Sequence, residues 1–270
     1  MKNTAVLAAI VLASFALNGC GRSAPWTRTA SPVDTPAADA DDSGYREPPQ
    51  VKGAQREPGG AVVLTGQALP GATVRLASPD GRAEQTTADA SGAWSLTAPR
   101  GGAAIYGLSQ EVGGRRQQAQ GYLAVLPHGE PAAAVLRSGA GAVALARGSA
   151  RPAITAIDFD GTGAAVVSGW AGSSQPLKVL VDGTSVDEGT SGPDGRFFLS
   201  LPKPLGAGMR SVQVVSPTGA TRVGADVSPP PVFTGVMHAV PRGAGWRIDW
   251  STPTGGIQST ELFALTGTGR

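Results

Sequence analysis

The sequence TVRLASPDGRAEQTTADASGAWSLT, residues 73–97, contains the pattern from which the fold class is predicted. Apolar side chains alternate with polar ones near both of its ends, at Val74 and Leu76 and again at Trp94 and Leu96. A period of two is typical of a β-strand that buries one face. Between these runs, Pro79-Asp80-Gly81 favours a tight turn, because glycine accepts a positive φ and aspartate hydrogen-bonds to its own backbone. The segment therefore predicts antiparallel strands.

The same pattern recurs in the second half of the chain. A shift of 103 residues aligns the stretch from residue 63 to residue 121 with a later one, without a gap. A single fixed offset indicates two copies of one module. The identical pairs are Gly66/Gly169, Ala68/Ala171, Gly92/Gly195, Leu96/Leu199, Pro99/Pro202 and Gly121/Gly224, and the conservative pairs are Val63/Val166, Val74/Leu177, Leu76/Val179 and Trp94/Phe197.

Each copy predicts a small β-sandwich. Period-two runs separated by turn residues indicate antiparallel sheets that pack face to face. The 39 glycines and 22 prolines among 270 residues argue against a helix bundle. We therefore predict an all-β protein with two tandem antiparallel β-sandwiches, over residues 60–128 and 152–228.

Short stretches of both copies carry a family resemblance. They are VLTGQA at 63–68, PGATV at 70–74 and DASGAW at 89–94 in the first copy, and VDG at 181–183 and DGRF at 194–197 in the second. They resemble bacterial immunoglobulin-like and carboxypeptidase-regulatory-like domains of envelope proteins, which implies Ig-like sandwiches. The second copy departs from the pattern, because it lacks the Pro-Gly-Ala of the first. The stretches are turn and core patterns, so no catalytic residue follows from the resemblance.

Two further segments flank the second copy. Residues 129–151 form an Ala/Gly-rich connector with one candidate strand, Ala142 to Ala146, which is either a linker or an edge strand. Residues 229–270 predict a C-terminal β-hairpin, in which Trp246 and Trp250 share one face of a strand. A lone hairpin is marginally stable in water. We therefore expect it to dock on the second module or on a partner.

The N-terminus predicts a secretion signal that ends in a lipid anchor. The apolar run from Ala5 to Leu17 spans about 20 Å as a helix, and a hydrocarbon core is about 30 Å thick. The run therefore indicates a signal peptide, residues 1–19, and not a transmembrane helix. Its end, Leu17-Asn18-Gly19-Cys20, resembles the lipobox of bacterial lipoproteins. That resemblance implies that signal peptidase recognises Leu17 and Gly19 and that Cys20 becomes the acylated N-terminus.

Acylation of Cys20 implies a place on a lipid membrane of the bacterial cell envelope. Several acyl chains, palmitate among them, hold a protein almost permanently, because each buried CH₂ contributes about 0.8 kcal/mol. The next residue is Gly21, where an Asp would favour the inner membrane. The resemblance thus implies the outer membrane, facing the periplasm or the surface. The alternative is an ordinary cleaved signal with an incidental cysteine.

A Pro- and Asp-rich segment separates the anchor from the first module. Residues 20–59 contain six prolines, an acidic cluster at Asp39, Asp41 and Asp42, and few large apolar side chains. Such a composition buries too little surface to offset the entropy of ordering. We predict a disordered tether that holds the folded head away from the lipid.

The motif Asp158-Phe159-Asp160-Gly161-Thr162 resembles the first motif of haloacid-dehalogenase-type phosphatases. That resemblance implies Asp158 as a nucleophile and Asp160 as an acid/base. The context argues against it, because that fold places a helix after the loop, whereas Gly163 begins a β-like run. We therefore predict an Asp-Gly turn that enters a strand, with a weak calcium site as the alternative. No enzyme activity and no cofactor are expected.

Tryptophan offers a second possible chemistry, stacking against sugar rings. Trp94 takes an inward strand position, so it is predicted to lie in a core. Trp170 breaks the repeat pattern, and Trp246 and Trp250 belong to the C-terminal hairpin. These three form the candidate ligand-binding face, and packing against a neighbouring module is the alternative.

Charge and rare residues exclude several function classes. With 22 Lys+Arg and 20 Asp+Glu, the formal net charge is +2, so no strong field favours nucleic acid. The single Cys excludes an intrachain disulfide and a cysteine-built metal site. His128 and His238 are far apart in sequence, which favours solvated or hydrogen-bonded histidines. The expected function is a non-catalytic binding or scaffolding module with an envelope protein or glycan partner.

Overall fold

The computed structural model describes residues 46–146 and 152–265. The predicted signal peptide, Leu17, Gly19, Cys20 and the tether up to residue 45 lie outside the described residues. Nineteen β-strands and no helix occur in the described ranges, so none of these residues provides a helix that could cross a bilayer. The all-β prediction is confirmed.

Module 1, the described residues 46–146, consists of two antiparallel sheets. One sheet has the order β1-β2-β5, and the other has the order β4-β3-β6-β7-β8-β9. The strands are β1 Gln50–Arg56, β2 Val62–Gln67, β3 Thr73–Ala77, β4 Ala83–Thr87, β5 Ala93–Ala98, β6 Ala104–Val112, β7 Arg115–Val125, β8 Ala133–Leu136 and β9 Val143–Ala144.

Module 2, residues 152–228, repeats this plan and is enlarged by the C-terminal extension, residues 229–265. One sheet has the order β14-β11-β10-β19-β18-β17, and the other has the order β13-β12-β15-β16. The strands are β10 Ala153–Asp160, β11 Ala165–Trp170, β12 Pro176–Val181, β13 Thr184–Thr190, β14 Arg196–Ser200, β15 Gly208–Ser216, β16 Gly219–Val227, β17 Met237–Arg242, β18 Gly245–Ser251 and β19 Ile257–Leu262.

Each sandwich encloses its own apolar core, as the alternating pattern predicts. Leu64, Leu76 and Trp94 lie in the core of module 1. Phe197 and Val179 lie at the matching places in module 2. The prediction that Trp94 is a core residue is confirmed.

The repeat is also visible in the backbone. Gly66 of β2 pairs with Trp94 of β5, and Gly169 of β11 pairs with Phe197 of β14. A Cβ at Gly66 would collide with the ring of Trp94, and a Cβ at Gly169 would collide with the ring of Phe197. A Cβ would also lie 2.0 Å from a backbone carbonyl oxygen of the neighbouring strand, that of Gln50 or of Ala153, so both positions require glycine.

Two predicted boundaries of module 1 are wrong. Residues 46–59 do not belong to a disordered tether, because β1 (50–56) pairs along β2 and packs Val51 against the core. Of the two alternatives for the connector 129–151, the edge strand is present: β9 (143–144) lies within the predicted strand 142–146, at the edge of the sheet. β8 (133–136), which the sequence does not predict, pairs with β7 and β9. Ladder hydrogen bonds to neighbouring strands order both segments, and the local composition does not reveal these pairings.

The predicted C-terminal hairpin is instead a three-stranded extension. β18 (245–251) pairs with β17 (237–242) and with β19 (257–262). β19 pairs in turn with β10 (153–160), so the extension continues a sheet of module 2. The backbone hydrogen-bonding groups at one edge of the extension are thus paired with β10, and this pairing stabilises a segment that would be only marginally stable alone.

Candidate functional site

A third apolar cluster joins the two modules, and we call it the junction. Trp246, Ile248 and Trp250 of β18 project from one face of the extension into this cluster. They pack with Leu262 and with apolar residues of module 1 and of β10: Ile105, Ala124, Leu126, Ala134, Leu136, Ala142 and Ala156. The junction thus joins module 1 to module 2 through an apolar cluster to which both modules contribute.

The junction corrects the predicted tryptophan face. Trp246 is 4% exposed and Trp250 is 0% exposed, so neither presents a ring to a glycan. Trp246 donates its indole N–H to the carbonyl of His128 at 3.2 Å, and Trp250 donates to Thr260 Oγ1 at 3.3 Å. A buried indole needs such a partner. The rings therefore hold the two modules together.

Trp170 is the one member of that predicted set that stays partly accessible. It ends β11 and is half-buried. The guanidinium of Arg196 lies over its ring at 4.4 Å from the ring centroid. A cation stacked on an indole is a favourable arrangement at a partly exposed position. Trp170 thus contributes one ring, already paired with a cation, to the surface.

Asp158 is buried at the junction and accepts three hydrogen bonds. The donors are the backbone N–H of Ala142 at 2.6 Å, Thr260 Oγ1 at 2.6 Å and Gln258 Nε2 at 3.0 Å. Ala142 belongs to module 1, whereas Thr260 and Gln258 belong to β19. The carboxylate therefore connects module 1 to the C-terminal extension.

Burial raises the pKa of Asp158 to about 6, because the charged form loses its hydration. The hydrogen bonds from Thr260, Ala142 and Gln258 oppose this shift, and so does the positive charge of Arg137. The desolvation effect exceeds these contributions. Asp158 is therefore a carboxyl group that titrates well above its ordinary range.

Asp160 takes a different part from Asp158. Its Oδ1 accepts hydrogen bonds from the backbone N–H and hydroxyl of Thr162, at 2.8 and 2.6 Å, and from the N–H of Ala164 at 3.1 Å. These bonds hold the turn between β10 and β11 and lower the pKa of Asp160. The predicted Asp-Gly turn is present, and the structure separates the two carboxylates of the phosphatase-like motif into two structural roles.

A buried ion pair lies on the other face of β18, and sequence reasoning missed it. Arg247 donates from Nε to Asp249 Oδ1 at 3.1 Å, and Asp249 Oδ1 also accepts a bond from Ser259 Oγ at 2.6 Å. Arg247 further donates to the carbonyl groups of Asp226 and Ser228, at 3.1 and 2.7 Å. The pair thus fastens the extension to the end of β16. Polar residues that alternate with apolar ones along a strand suggest a solvent-exposed face. The local sequence pattern therefore does not predict that Arg247 and Asp249 form a buried ion pair.

The histidines lie near this extension but do not form a catalytic or metal constellation. The His128 ring lies 4.8 Å from that of Trp246, and His238 Nδ1 lies 3.7 Å from Asp249 Oδ2. Across residues 46–146 and 152–265, no three His, Cys, Asp or Glu side chains are close enough to hold a metal ion. The hydroxyl of Ser259 bonds to Asp249 and not to a histidine.

Open clefts lie at the surface of the joined modules, and two of them involve residues discussed above. One, of about 370 Å³, is lined by Asp158, Asp160, Ser200 and Thr254, near the turn after β10. The other, of about 680 Å³, runs beside β1, and we call it the β1 groove. Its lining combines Lys52, Arg56, Glu57, Glu130, Trp170 and Arg196 with backbone of β1 and of the segment after β9.

Comparisons with known proteins add little to this geometry. No protein-family model matches the chain, and no curated protein matches it. A solved structure described as "Biofilm associated protein - BSP domain" is similar over 68% of this chain, with 14% sequence identity and a TM-score of 0.23. The chain spans 30% of the length of that structure.

Proposed function

We propose that the protein is a cell-envelope lipoprotein whose two-module head acts as a non-catalytic binding or scaffolding element. The observation that carries this proposal is the junction. In the junction, two tryptophans, a buried carboxyl group and strands of the C-terminal extension hold the two sandwiches in one arrangement. A fixed arrangement of surfaces suits a spacer or an adaptor.

The buried polar groups support a structural use in place of catalysis. Asp158 bonds to the backbone and to β19, and Arg247 bonds to Asp249 and to the end of β16. Asp158 lines the cleft of about 370 Å³ but is only 2% exposed, and both of its carboxylate oxygens accept hydrogen bonds, whereas a nucleophile needs an oxygen that is open to a substrate. What remains for recognition is the set of strand edges, loop ends and clefts, where sandwich domains commonly bind partners. We therefore do not retain the phosphatase alternative.

The glycan-binding alternative loses most of its support. It relied on three tryptophans, and two of them lie in the junction. Trp170 alone offers part of one ring beside Arg196. We therefore propose a protein partner in the envelope in preference to a glycan.

The anchoring part of the proposal rests on the N-terminal sequence. The quartet that ends in Cys20 supports acylation, and Cys20 is the one cysteine of the chain. We propose a lipid-anchored head on the outer membrane, facing the periplasm or the surface. The lipid membrane is then the first partner, and an envelope protein is the second.

Cell fractionation tests the anchor. We expect Cys20→Ser to move the protein from the membrane fraction to the soluble fraction, because its acyl chains are lost. The matched control is Asn18→Ala, at the tolerant position of the lipobox, which should stay in the membrane fraction. Tight membrane association of Cys20→Ser would contradict acylation, and retention of either protein in the cytosol would contradict the envelope role.

A further inference from the structure

We propose that the outer edge of β1 is a docking site for an extended polypeptide strand with acidic side chains, contributed by a partner protein. The inference rests on the proposed binding function and names its partner chemistry. It comes from a comparison between the two modules, because the repeat makes each module a reference for the other.

β1 and β10 are equivalent strands. Under the 103-residue shift Gln50 falls on Ala153, the first residue of β10. β1 has a register shift between Val51 and Gly53, and β10 has one between Ile154 and Ala156, at the same place. The two strands also pair with equivalent neighbours, β2 and β11. The edges of β1 and β10 that face away from β2 and β11 are therefore expected to have the same geometry.

In module 2 this edge is occupied. β19 pairs with β10 from Ala156 to Asp160 in an antiparallel ladder. The equivalent positions of β1 are Gly53 to Glu57. No strand within the described ranges pairs with β1 on that side, since the order of its sheet is β1-β2-β5. Every second backbone N–H and C=O of β1 points away from β2, so the edge presents unpaired groups to an incoming strand.

The β1 groove lies along these same residues. Its lining follows β1 continuously from Lys52 to Glu57. The groove also extends over Val63 and Thr65 of β2. Trp170 and Arg196 of module 2 form part of its wall, together with Leu145 and Ala146. A volume of about 680 Å³ falls in the range of roughly 300–1,000 Å³ that is common for ligand sites. The groove thus gives an added strand a surface for its side chains as well as a backbone ladder.

Charge indicates the kind of strand that fits. Lys52, Arg56 and Arg196 line the groove against Glu57 and Glu130. Arg196 also forms an ion pair with Asp194 at 3.6 Å, so the positive charges that an incoming strand would meet beside β1 are those of Lys52 and Arg56. Lysine at a strand edge opposes indiscriminate pairing, so an incoming strand needs compensating negative charge.

Arg56 supports this reading of the groove. Its Nη atoms donate to the carbonyl groups of Leu126 and Pro127, at 2.8 and 2.9 Å. Its Nε is buried and has no hydrogen-bond partner within the described part of the chain. An unpaired buried donor is costly, and a carboxylate or carbonyl of a docked strand would supply its acceptor.

The β19 sequence provides a probe. A nine-residue peptide that copies residues 256–264, GIQSTELFA, carries the strand that fills the equivalent edge. In this peptide Ser259→Glu places two acidic residues on one face. We expect the acidic peptide to bind the purified full chain in detergent and to slow hydrogen exchange of residues 53–57. A peptide with Lys at both positions should bind about tenfold more weakly.

A matched pair of variants locates the site. Lys52→Glu should weaken binding of the acidic peptide about tenfold and should favour the Lys peptide. Lys203→Glu, at an exposed loop position of module 2, should leave both affinities unchanged.

Several outcomes would overturn the proposal. They are no binding, protection confined to residues 156–160, equal binding of both peptides, or slow exchange, before any peptide is added, of those amides of residues 53–57 that point away from β2. Dimerisation of the chain that by itself protects these residues would point to a second copy and would also overturn it. None of these outcomes affects the fractionation result for Cys20→Ser, so failure of the docking site and failure of the anchor remain distinct.

Discussion

At the scale of single residues, the junction depends on a carboxyl group that is easier to protonate in the folded protein than in the unfolded chain. Burial raises the pKa of Asp158 from 3.8 to about 6. Between these values the folded protein holds a proton that the unfolded chain has released. The contribution of Asp158 to the free energy of unfolding therefore falls by about 2 kcal/mol as pH rises from about 4 to about 6.

The variant Asp158→Asn isolates this effect. An amide does not titrate, and its oxygen can still accept the bond from Ala142. We expect the free energy of unfolding of the variant, relative to that of the wild type, to rise by about 2 kcal/mol from pH 4 to pH 7. Urea titrations of both proteins across this range measure the difference. Parallel profiles would show that Asp158 titrates normally and is not desolvated.

At the scale of strands, the extension matters because β19 fills a gap between β10 and β18. A chain that ends after Val227 lacks β17 to β19. It would expose the edge of β10 and the apolar residues of module 1 that face the junction, such as Leu126 and Leu136. Exposed edges and apolar patches promote association. We expect this truncated chain to aggregate in size-exclusion chromatography.

The control for that truncation is a chain that ends after Leu265, which retains every described strand. It should elute as the wild type does. If the chain that ends after Val227 elutes like this control and melts at the same temperature, the extension is an appendage and the junction has no structural role.

The strands also show how far the sequence predicts this fold. The repeated strands are visible because each alternates apolar and polar residues around Asp-Gly turns, as β3 (73–77) and β12 (176–181) do. β1 (50–56) and β17 (237–242) escape detection because they have no such alternation. Each is ordered by a ladder with the strand that follows it, β2 or β18, and the residues of β1 and β17 alone do not show that pairing.

The candidate site was only partly predictable for a related reason. The alternation of Trp246, Ile248 and Trp250 reveals an apolar face but not what covers it. Module 1 covers it, so residues expected to be exposed are buried. In the sequence, Asp158 stands out because it belongs to a phosphatase-like motif. Its hydrogen-bond donors, however, lie in Ala142 and in β19, which are outside that motif. Chemistry at a junction is set by contacts between distant parts of the chain.

At the scale of the whole molecule, two separate cores are coupled through a third. The cores of module 1 and module 2 are distinct clusters, and the junction is the apolar cluster that contains residues of both. Coupling through one interface makes unfolding cooperative only while the interface is stronger than the difference in stability between the modules. The wild type should therefore unfold in one calorimetric transition, because breaking either module uncovers the large junction tryptophans.

Trp250→Ala tests this coupling. The side chain is fully buried at the centre of the junction, and removal of a buried tryptophan typically lowers the free energy of unfolding by about 3–5 kcal/mol. We expect the single transition to divide into two, since each module keeps its own core while the interface weakens. Met209→Ala, at a residue that is 67% exposed, is the control and should leave one transition at the wild-type temperature. One undivided transition in Trp250→Ala, shifted no more than in the control, would mean that the modules are coupled by something other than the junction.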